Sequence, residues 1–434
     1  MMNRVVTILL VILWSSFLWE LGLEFFKYYI GTTIFQLSSL IYLFVYIFLL
    51  FTKKIKLNLY IKKQFIIALI SLLLFSLVTT IYSPEIKLGF YDAVKNIYYL
   101  LLLVTSYHFL QTLKHDQIIS FLRNVGLLSM IVILGSSLYI FITSDINTLR
   151  PSYQGKFTIS IFRDYNMMVV SLLSSLFLFM IKRKSNVKNY IIFLIFIVII
   201  IVLGVYSGSR RSIIVYFPIA ISVSFYFIIG FNFQKFIKSF LVILCGLIIM
   251  ITLVYSVDQD KMMNQLDNQY SALESRFNRG VGLITGDYDD TSSRTERWEN
   301  AMIVYNNSTI VELFIGKGHR SYFNNELFIR EDGSRDSPHN FILSELIQGG
   351  IVKIFILGIF LFILIVDYKR NKNHIDLWSK VYINSFLLIW SATVFISGLG
   401  FLTSKQFFLY LLGYLIIVYK IPNKVQVKGV NSAG

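Results

Sequence analysis

The chain has 434 residues, of which 56% are hydrophobic and 15% are charged, and its mean hydropathy is +0.67. A soluble domain cannot bury that much apolar surface, so these values exclude a soluble protein and indicate a chain that lies mostly in lipid. The formal net charge of +16 is typical of the cytoplasmic lysines and arginines of a membrane protein, so it does not indicate a nucleic-acid partner.

Apolar windows of about 18–25 residues recur along the whole chain and predict transmembrane helices. The short alternating segments of a β-barrel do not occur in the sequence. We therefore predict an all-α polytopic integral membrane protein with about twelve spans. The first window is followed by Glu20, where a signal peptide would have a cleavage site of small residues. We therefore expect that this window is a retained span and that it is not a removed signal peptide. The approximate limits of the spans are 4–21, 31–52, 65–82, 95–112, 122–143, 164–181, 190–207, 211–230, 239–257, 350–366, 381–398 and 404–420.

The loops between these spans alternate in charge along the chain. By the positive-inside rule the lysine- and arginine-rich loops are cytoplasmic, and both termini are on that side. The cytoplasmic set is 53–63, 182–188, 234–238, 368–373 and 420–428, and the external set is 20–26, 83–87, 143–160 and 258–338.

The long external segment divides the chain into three parts. It holds 14 of the 24 acidic residues, and it is too long for a passive connector, so we predict a small helical extracytoplasmic cap between spans nine and ten. The parts are 1–257 with nine spans, 258–338 as the cap, and 339–434, which begins with a re-entrant or interfacial helix and ends in a cytoplasmic tail.

SGSRR at 207–211 lies at the outer end of the seventh predicted span. Ser209 suits the N-cap of the eighth span, which places Arg210 and Arg211 in its first turn. Cations are unfavourable there, because they concentrate on the cytoplasmic side and a helix start is the positive end of its dipole. A bound phosphate removes both costs. Snorkelling to lipid phosphates, or an ion pair with the cap, explains this stretch equally well.

A second arginine lies at the predicted start of an external helix, in TSSRTERW at 291–298. Ser293 and Glu296 fit the N-cap and N3 positions of a capping box, which puts Arg294 in the first turn. The alternative for Arg294 is a solvated surface residue. Apolar residues follow at helical spacing, namely Trp298, Ala301, Met302 and Tyr305.

RDSPHNFILSELIQGG at 335–350 predicts a short helix. Ser337 suits the N-cap, Pro338 suits the first helical position, and Gly349 with Gly350 ends the helix. About eleven residues reach only ~16 Å, too short to cross a bilayer. His339 then falls in the first turn, where the dipole favours a neutral imidazole suited to general base catalysis. A capping or loop histidine is the alternative.

Weaker patterns lie elsewhere in the chain. Arg163, Asp164 and Asn166 begin the sixth span, either as an internal ion pair or as site residues. DYDD at 287–290 lacks the glycine and distal glutamate of a calcium loop, so we interpret it as a solvated loop. GKGH at 316–319 predicts a turn. Nucleotide and zinc motifs do not occur, and one cysteine cannot form a thiolate cluster, so we expect neither a metal nor a cofactor.

Three basic groups are thus each predicted in the first turn of a helix on the same membrane face: Arg210, Arg294 and His339. One external pocket explains this better than three coincidences. In order and spacing, SGSRR, the Arg-x-x-x-Trp helix start, GKG and HN followed by Gly-Gly resemble the O-antigen ligase and polymerase superfamily. The resemblance covers about residues 160–366, and spans one to five fit only in number and hydropathy.

The resemblance implies a GT-C-like, metal-independent, inverting glycosyltransferase of the bacterial inner membrane that acts on the periplasmic or outer face. Its donor would be a glycan on undecaprenyl pyrophosphate. Arg210 and Arg294 would hold the pyrophosphate, with Arg211 as a further contact. Beside these residues we expect Asn340, Arg163, Asp164 and Asn166 to support the site. His339 would take the proton of the attacking hydroxyl, while arginines stabilise charge on the leaving group.

The acceptor distinguishes the functions that this resemblance leaves open. A polymerase of lipopolysaccharide O-antigen or capsule repeat units is favoured by the tyrosine, phenylalanine and isoleucine bias, and a chain-length regulator is a further expected partner. An O-antigen ligase would transfer the glycan to lipid A core. A flippase or transporter is the alternative from another class, although transporters usually show two related halves with broken helices at the midplane.

Overall fold

A computed structural model describes residues 2–19, 32–55, 63–143, 165–183, 187–206, 292–329, 333, 337, 338, 340–397 and 405–420. Within these residues the regular secondary structure is helical and there is no β-strand. The all-α prediction is therefore confirmed for the described part of the chain.

Twelve α-helices are described, in chain order. They are α1 (Met2–Trp19), α2 (Ile34–Phe51), α3 (Lys63–Ile81), α4 (Ile86–Gln111), α5 (His115–Thr143), α6 (Tyr165–Met180), α7 (Val187–Tyr206), α8 (Ser292–Asn306), α9 (Ile310–Ile315), α10 (Phe341–Asn371), α11 (Leu377–Ser397) and α12 (Lys405–Leu415). Three 3₁₀-helices are added, at Ser321–Asn324, Glu326–Phe328 and Lys372–His374, and a π-helical turn at Ile416–Lys420 continues α12.

Four helices of the described residues are long and apolar enough to cross a membrane: Ile34–Phe51, Lys63–Ile81, His115–Ile140 and Phe341–His374. Shorter apolar helices are Asn3–Trp19, Met167–Met180, Lys188–Gly204 and Phe407–Lys420. These findings support a membrane protein. The predicted eighth and ninth spans, 211–230 and 239–257, lie outside the described residues, so the total of twelve spans remains a prediction.

The chain divides into two compact units. The first comprises 1–48, 113–287 and 376–389, and the second comprises 49–112, 288–375 and 390–434.

In the first unit, α5 packs closely against α6 and α1. A Cβ on Gly126 of α5 would lie only 2.4 Å from the carbonyl oxygen of Ser175, so the absence of a side chain lets the two helix backbones approach. At the end of α6 the carbonyl of Ile181 accepts a hydrogen bond from Nε of Arg123, at 2.8 Å.

In the second unit, α3, α4, α10 and α12 share a core of aromatic rings. Phe360 of α10 packs against Phe65 and Phe407, with ring centroids 5.5 and 6.3 Å apart. Tyr99 of α4 meets Phe408 of α12 at 5.4 Å. These rings belong to apolar helices and are almost completely buried. Their packing against one another holds α10 against its neighbours.

The helix α8 packs on α10 through a face that differs from the predicted one. Ala301 and Val304 are buried, in a cluster with Tyr322, Phe328 and Ile347, and Tyr305 packs against it. The predicted face also included Trp298 and Met302, which are 39% and 40% exposed. The buried face of α8 is therefore narrower than the face that the spacing of its apolar residues predicted.

A break at Gly350 separates two parts of α10. Gly350 has φ 64° and ψ −167°, which no helical residue adopts. A Cβ there would lie 2.3 Å from the carbonyl oxygen of Phe314. The prediction that a short helix ends at Gly349 and Gly350 is confirmed, because only glycine fits both the left-handed backbone and the close approach.

Candidate functional site

Most of the predicted site residues lie outside what the structure describes. These are Arg163, Asp164, Arg210, Arg211 and His339. Arg294 and Asn166 belong to α8 and α6, but their side chains are outside the described residues. The roles assigned to these seven residues therefore stay predictions.

The two predicted helix starts can be compared with the observed ones. The helix α8 begins at Ser292, one residue before the predicted N-cap, and Arg294 lies in its first turn as predicted. The helix α10 begins at Phe341 and its N-cap is Asn340, whose side chain accepts a hydrogen bond from the backbone N–H of Leu343 at 3.2 Å.

The predicted N-cap at Ser337 is therefore wrong, and the predicted placement of His339 in the first turn falls on a residue outside the described ones. His339 precedes the N-cap Asn340 in the chain. The reason is that asparagine serves as an N-cap as well as serine does, and its amide oxygen satisfies one of the N–H groups that a helix start leaves without a partner.

The GKGHR segment, 316–320, forms the predicted turn. Gly316 and Gly318 have φ values of 80° and 98°, a region that favours glycine. A Cβ on Gly316 would lie 2.3 Å from the carbonyl oxygen of Gln348, and one on Gly318 would lie 2.8 Å from Cα of Ser83. The turn is thus held tightly between the end of α3 and the break in α10.

Hydrogen bonds attach this turn to both helix ends. The N–H groups of Lys317 and Gly318 donate to the carbonyls of Ile347 and Gln348, at 2.8 and 3.1 Å. A helix end leaves carbonyls without an intrahelical partner, and the turn supplies donors for these two carbonyls beside the break at Gly350. The N–H of His319 donates to the carbonyl of Thr79 at 3.1 Å.

The turn presents His319 and Arg320 to a buried carboxylate. Asp92 of α4 is 3% exposed. Its Oδ2 accepts from Nη2 of Arg320 at 2.7 Å and lies 3.2 Å from Nε2 of His319, while its Oδ1 accepts from Nζ of Lys95 at 3.3 Å. We call Asp92, Lys95, His319 and Arg320 the Asp92 cluster.

Asp92 precedes the fourth predicted span, 95–112, and its surroundings favour the ionised form. Burial raises its pKa, but the hydrogen bond from His319 and the charges of Arg320 and Lys95 outweigh burial and hold the pKa well below its usual range. A carboxylate only accepts hydrogen bonds, so Nε2 of His319 carries the hydrogen that Oδ2 of Asp92 accepts.

A buried ion pair crosses the break in α10. Nζ of Lys353 lies 2.5 Å from Oε2 of Glu345, and the two side chains are 6% and 13% exposed. A Cβ on Gly349 would lie 2.2 Å from Cδ of Lys353. A side chain at position 349 would collide with the aliphatic part of Lys353. Glycine at 349 therefore leaves the space in which the Lys353 side chain reaches Glu345.

The Asp92 cluster and this ion pair line one pocket of the second unit, between α3, α4, the turn and α10. The polar and aromatic residues of its wall include Asp92, Asn96, His319, Phe341, Glu345 and Lys353. The pocket is a small cavity of about 30 Å³ in which a few polar groups converge on a largely apolar wall.

Sequence reasoning predicted the turn but missed Asp92, Asn96 and His319 as site residues. One signal was present, since Asp92 and Asn96 are four residues apart at the start of a span and so share a helix face. Nothing in the sequence links Asp92 with His319, which is 227 residues further along the chain.

A comparison with family models tests the predicted resemblance. The model described as O-antigen ligase matches residues 195–358. The predicted resemblance to the O-antigen ligase and polymerase superfamily is confirmed over this segment. The matched segment contains SGSRR, Arg294, the GKGHR turn, His339 and the break at Gly350. Members of the family are glycosyltransferase-like ligases and polymerases of the membrane. Searches of curated proteins and of solved structures found no match.

Proposed function

We propose that the chain polymerises oligosaccharide repeat units of O-antigen or capsule that are linked to undecaprenyl pyrophosphate. The observation that carries the glycosyl transfer is the O-antigen ligase match over residues 195–358, which contains every motif assigned to the reaction except those before the seventh span. The tyrosine, phenylalanine and isoleucine bias of the sequence favours a polymerase within that family. The apolar helices support it, because they would place the enzyme in the bilayer that holds the lipid part of the substrate.

The proposed reaction is an inverting glycosyl transfer on the outer face of the inner membrane. A hydroxyl of the acceptor sugar attacks the anomeric carbon of the donor, the bond from that carbon to the pyrophosphate oxygen breaks, and undecaprenyl pyrophosphate leaves with the electron pair. His339 accepts the hydroxyl proton. Arg210 and Arg294, with Arg211, stabilise the charge on the leaving pyrophosphate.

Ligation to lipid A core is the second candidate. The description of the matching family model favours it, since that description is O-antigen ligase. The chemistry at the anomeric carbon is the same, and only the acceptor differs. A polymerase uses the sugar of another lipid-linked repeat unit in its place.

The test is an assay of the purified full-length chain in lipid vesicles. One sample receives only the lipid-linked repeat unit, and a second also receives lipid A core. A ladder of glycan lengths in the first sample supports the polymerase. A glycan on lipid A core without a ladder in the first sample favours the ligase. Transport of the repeat unit across the vesicle membrane, with neither product, favours the flippase and contradicts both transferase functions.

A further inference from the structure

We propose that the end of the first unit at which α5 begins and α6 ends binds the phosphate of an anionic phospholipid, held between the guanidinium groups of Arg123 and Arg183. The proposed glycosyl transfer assigns no role to either arginine, so this inference does not depend on it.

Both arginines are anchored to the last carbonyls of α6. Nε of Arg123 donates to the carbonyl of Ile181 at 2.8 Å, and Nε of Arg183 donates to the carbonyl of Phe179 at 3.2 Å. A helix end is the negative end of its dipole, which explains why cations lie here. These bonds use one nitrogen of each guanidinium, and the two Nη groups of each have no acceptor among the described residues.

An aromatic ring orders the second guanidinium. The central carbon of the Arg183 guanidinium lies 4.0 Å from the centroid of the Phe179 ring. The Phe179 ring in turn meets Phe196 of α7 edge to face, with centroids 6.3 Å apart. A guanidinium that is stacked on a ring and bonded through Nε loses little further freedom when its Nη groups donate to a ligand.

The charges at this end of the unit are not balanced by the described acids. Arg123 and Arg183 lie close enough for their charges to repel each other, and Asp376 attracts Arg123. The carboxylate of Asp376 is shared, because it accepts from the hydroxyl of Ser379 at 2.5 Å and lies 3.6 Å from Nζ of Lys182. Three cations against one carboxylate leave two positive charges in excess, and a bound anion would reduce this repulsion.

The location identifies a membrane lipid as the source of the anion. Arg123 lies near the start of a helix that is apolar enough to cross a membrane, and Arg183 follows the end of the apolar helix α6. Both side chains are half-buried. Basic groups between the ends of membrane helices bind anionic head groups, and guanidinium forks match phosphate oxygens. A zwitterionic lipid brings a cation of its own, so the excess positive charge favours an anionic lipid.

The test measures lipid binding by the delipidated full-length protein in detergent. The probe is dioleoyl phosphatidylglycerol, and native mass spectrometry counts the bound molecules over a titration. Dioleoyl phosphatidylcholine, which has the same acyl chains, is the comparison lipid. Inorganic phosphate is added as a competitor, because it distinguishes a site for free phosphate from a site for a lipid.

Two variants each remove one guanidinium. Arg123→Gln and Arg183→Gln are each expected to weaken the binding of phosphatidylglycerol by about tenfold, since each removes charge-assisted hydrogen bonds to the phosphate. The matched controls are Lys114→Gln and Lys188→Gln. They remove the same charge from exposed residues near the starts of α5 and α7, at the same end of the helices, and they should bind like the wild type.

The outcomes decide between a built site and a general attraction of charge. Weaker binding in both arginine variants, with controls like the wild type and a preference for phosphatidylglycerol over phosphatidylcholine, supports the proposal. Equal losses in the controls, wild-type affinity in the arginine variants, or equal binding of the two lipids overturns it. Displacement of phosphatidylglycerol by inorganic phosphate would assign the site to free phosphate and overturn the lipid.

Melting temperatures without added lipid guard against a folding defect. Arg123→Gln removes a contact between two helices, so this variant can lower the melting temperature by itself. In that event Arg183→Gln, whose parent residue follows α6, decides alone. A loss of phosphatidylglycerol binding at an unchanged melting temperature supports the site, and wild-type binding overturns it.

Discussion

The two units of the protein bury different kinds of polar residue. In the first unit the buried polar residues of the described chain are all serines, such as Ser16, Ser129 and Ser175, whose hydroxyls donate to carbonyls of their own helices. In the second unit they include Asp92, Asn96 and Lys353.

This difference indicates where function lies in an apolar chain. A serine that bonds to its own helix backbone needs no partner elsewhere, so it is compatible with simple packing. Ionisable and amide groups in membrane proteins are costly, and they are kept where they serve a site. The second unit therefore holds the stronger candidate among the described residues.

The largest expected effect comes from the buried ion pair of the second unit. Lys353→Ala leaves the Glu345 carboxylate buried without its partner and should lower the free energy of unfolding by about 3–5 kcal/mol. Thermal unfolding in detergent measures this. The control in the first unit is Lys182→Ala, which removes the more exposed pair with Asp376 and should cost at most about 1 kcal/mol. Equal losses would contradict the contrast between the units.

The break in α10 is the next test. Gly350→Ala puts a side chain at φ 64° and against the carbonyl of Phe314, so we expect a loss of about 3 kcal/mol in unfolding free energy. Gly358→Ala in the same helix is the matched control, because a Cβ there has no neighbour within 4 Å. That variant should gain up to about 1 kcal/mol. A neutral Gly350→Ala would show that the break is dispensable.

The Asp92 cluster should show a smaller effect that depends on pH. Asp92→Asn weakens charge-assisted hydrogen bonds and should cost about 2 kcal/mol at neutral pH. Because the folded protein depresses the pKa of Asp92, this contribution is complete above the unfolded value of about 4 and is lost as pH falls further. Unfolding midpoints of both proteins from pH 8 to 3 measure it. A difference that grows on acidification would contradict the assignment.

The smallest expected effect concerns the geometry of phosphate binding. Arg294→Lys keeps the charge but loses the planar fork, so polymer formation should slow by about tenfold, equivalent to about 1.4 kcal/mol. Arg297→Lys in the same helix is the matched control and should leave the rate unchanged. Initial rates of ladder formation decide this, and a wild-type rate for Arg294→Lys would exclude bidentate binding of the pyrophosphate.

Local chemistry explains what could be predicted from the sequence. The helices follow from long apolar runs, and the break at Gly350 follows from a glycine pair that only a turn requires. The N-cap of α10 was misplaced because Ser337 and Asn340 satisfy the same pattern. The Asp92 cluster could not be predicted, since the contact of Asp92 with His319 depends on the packing of α4 against a turn distant in sequence.

The central claim is that the chain joins lipid-linked repeat units and that His339 is the base. The most direct measurement is ladder formation by purified wild-type protein, His339→Ala and the exposed-residue control His374→Ala, each with the lipid-linked repeat unit alone. We predict a ladder for the wild type and for His374→Ala. For His339→Ala we predict a loss of at least about a hundredfold with an unchanged melting temperature. A full ladder from His339→Ala would contradict the assignment of the base, and no ladder from the wild type would contradict the proposed polymerase.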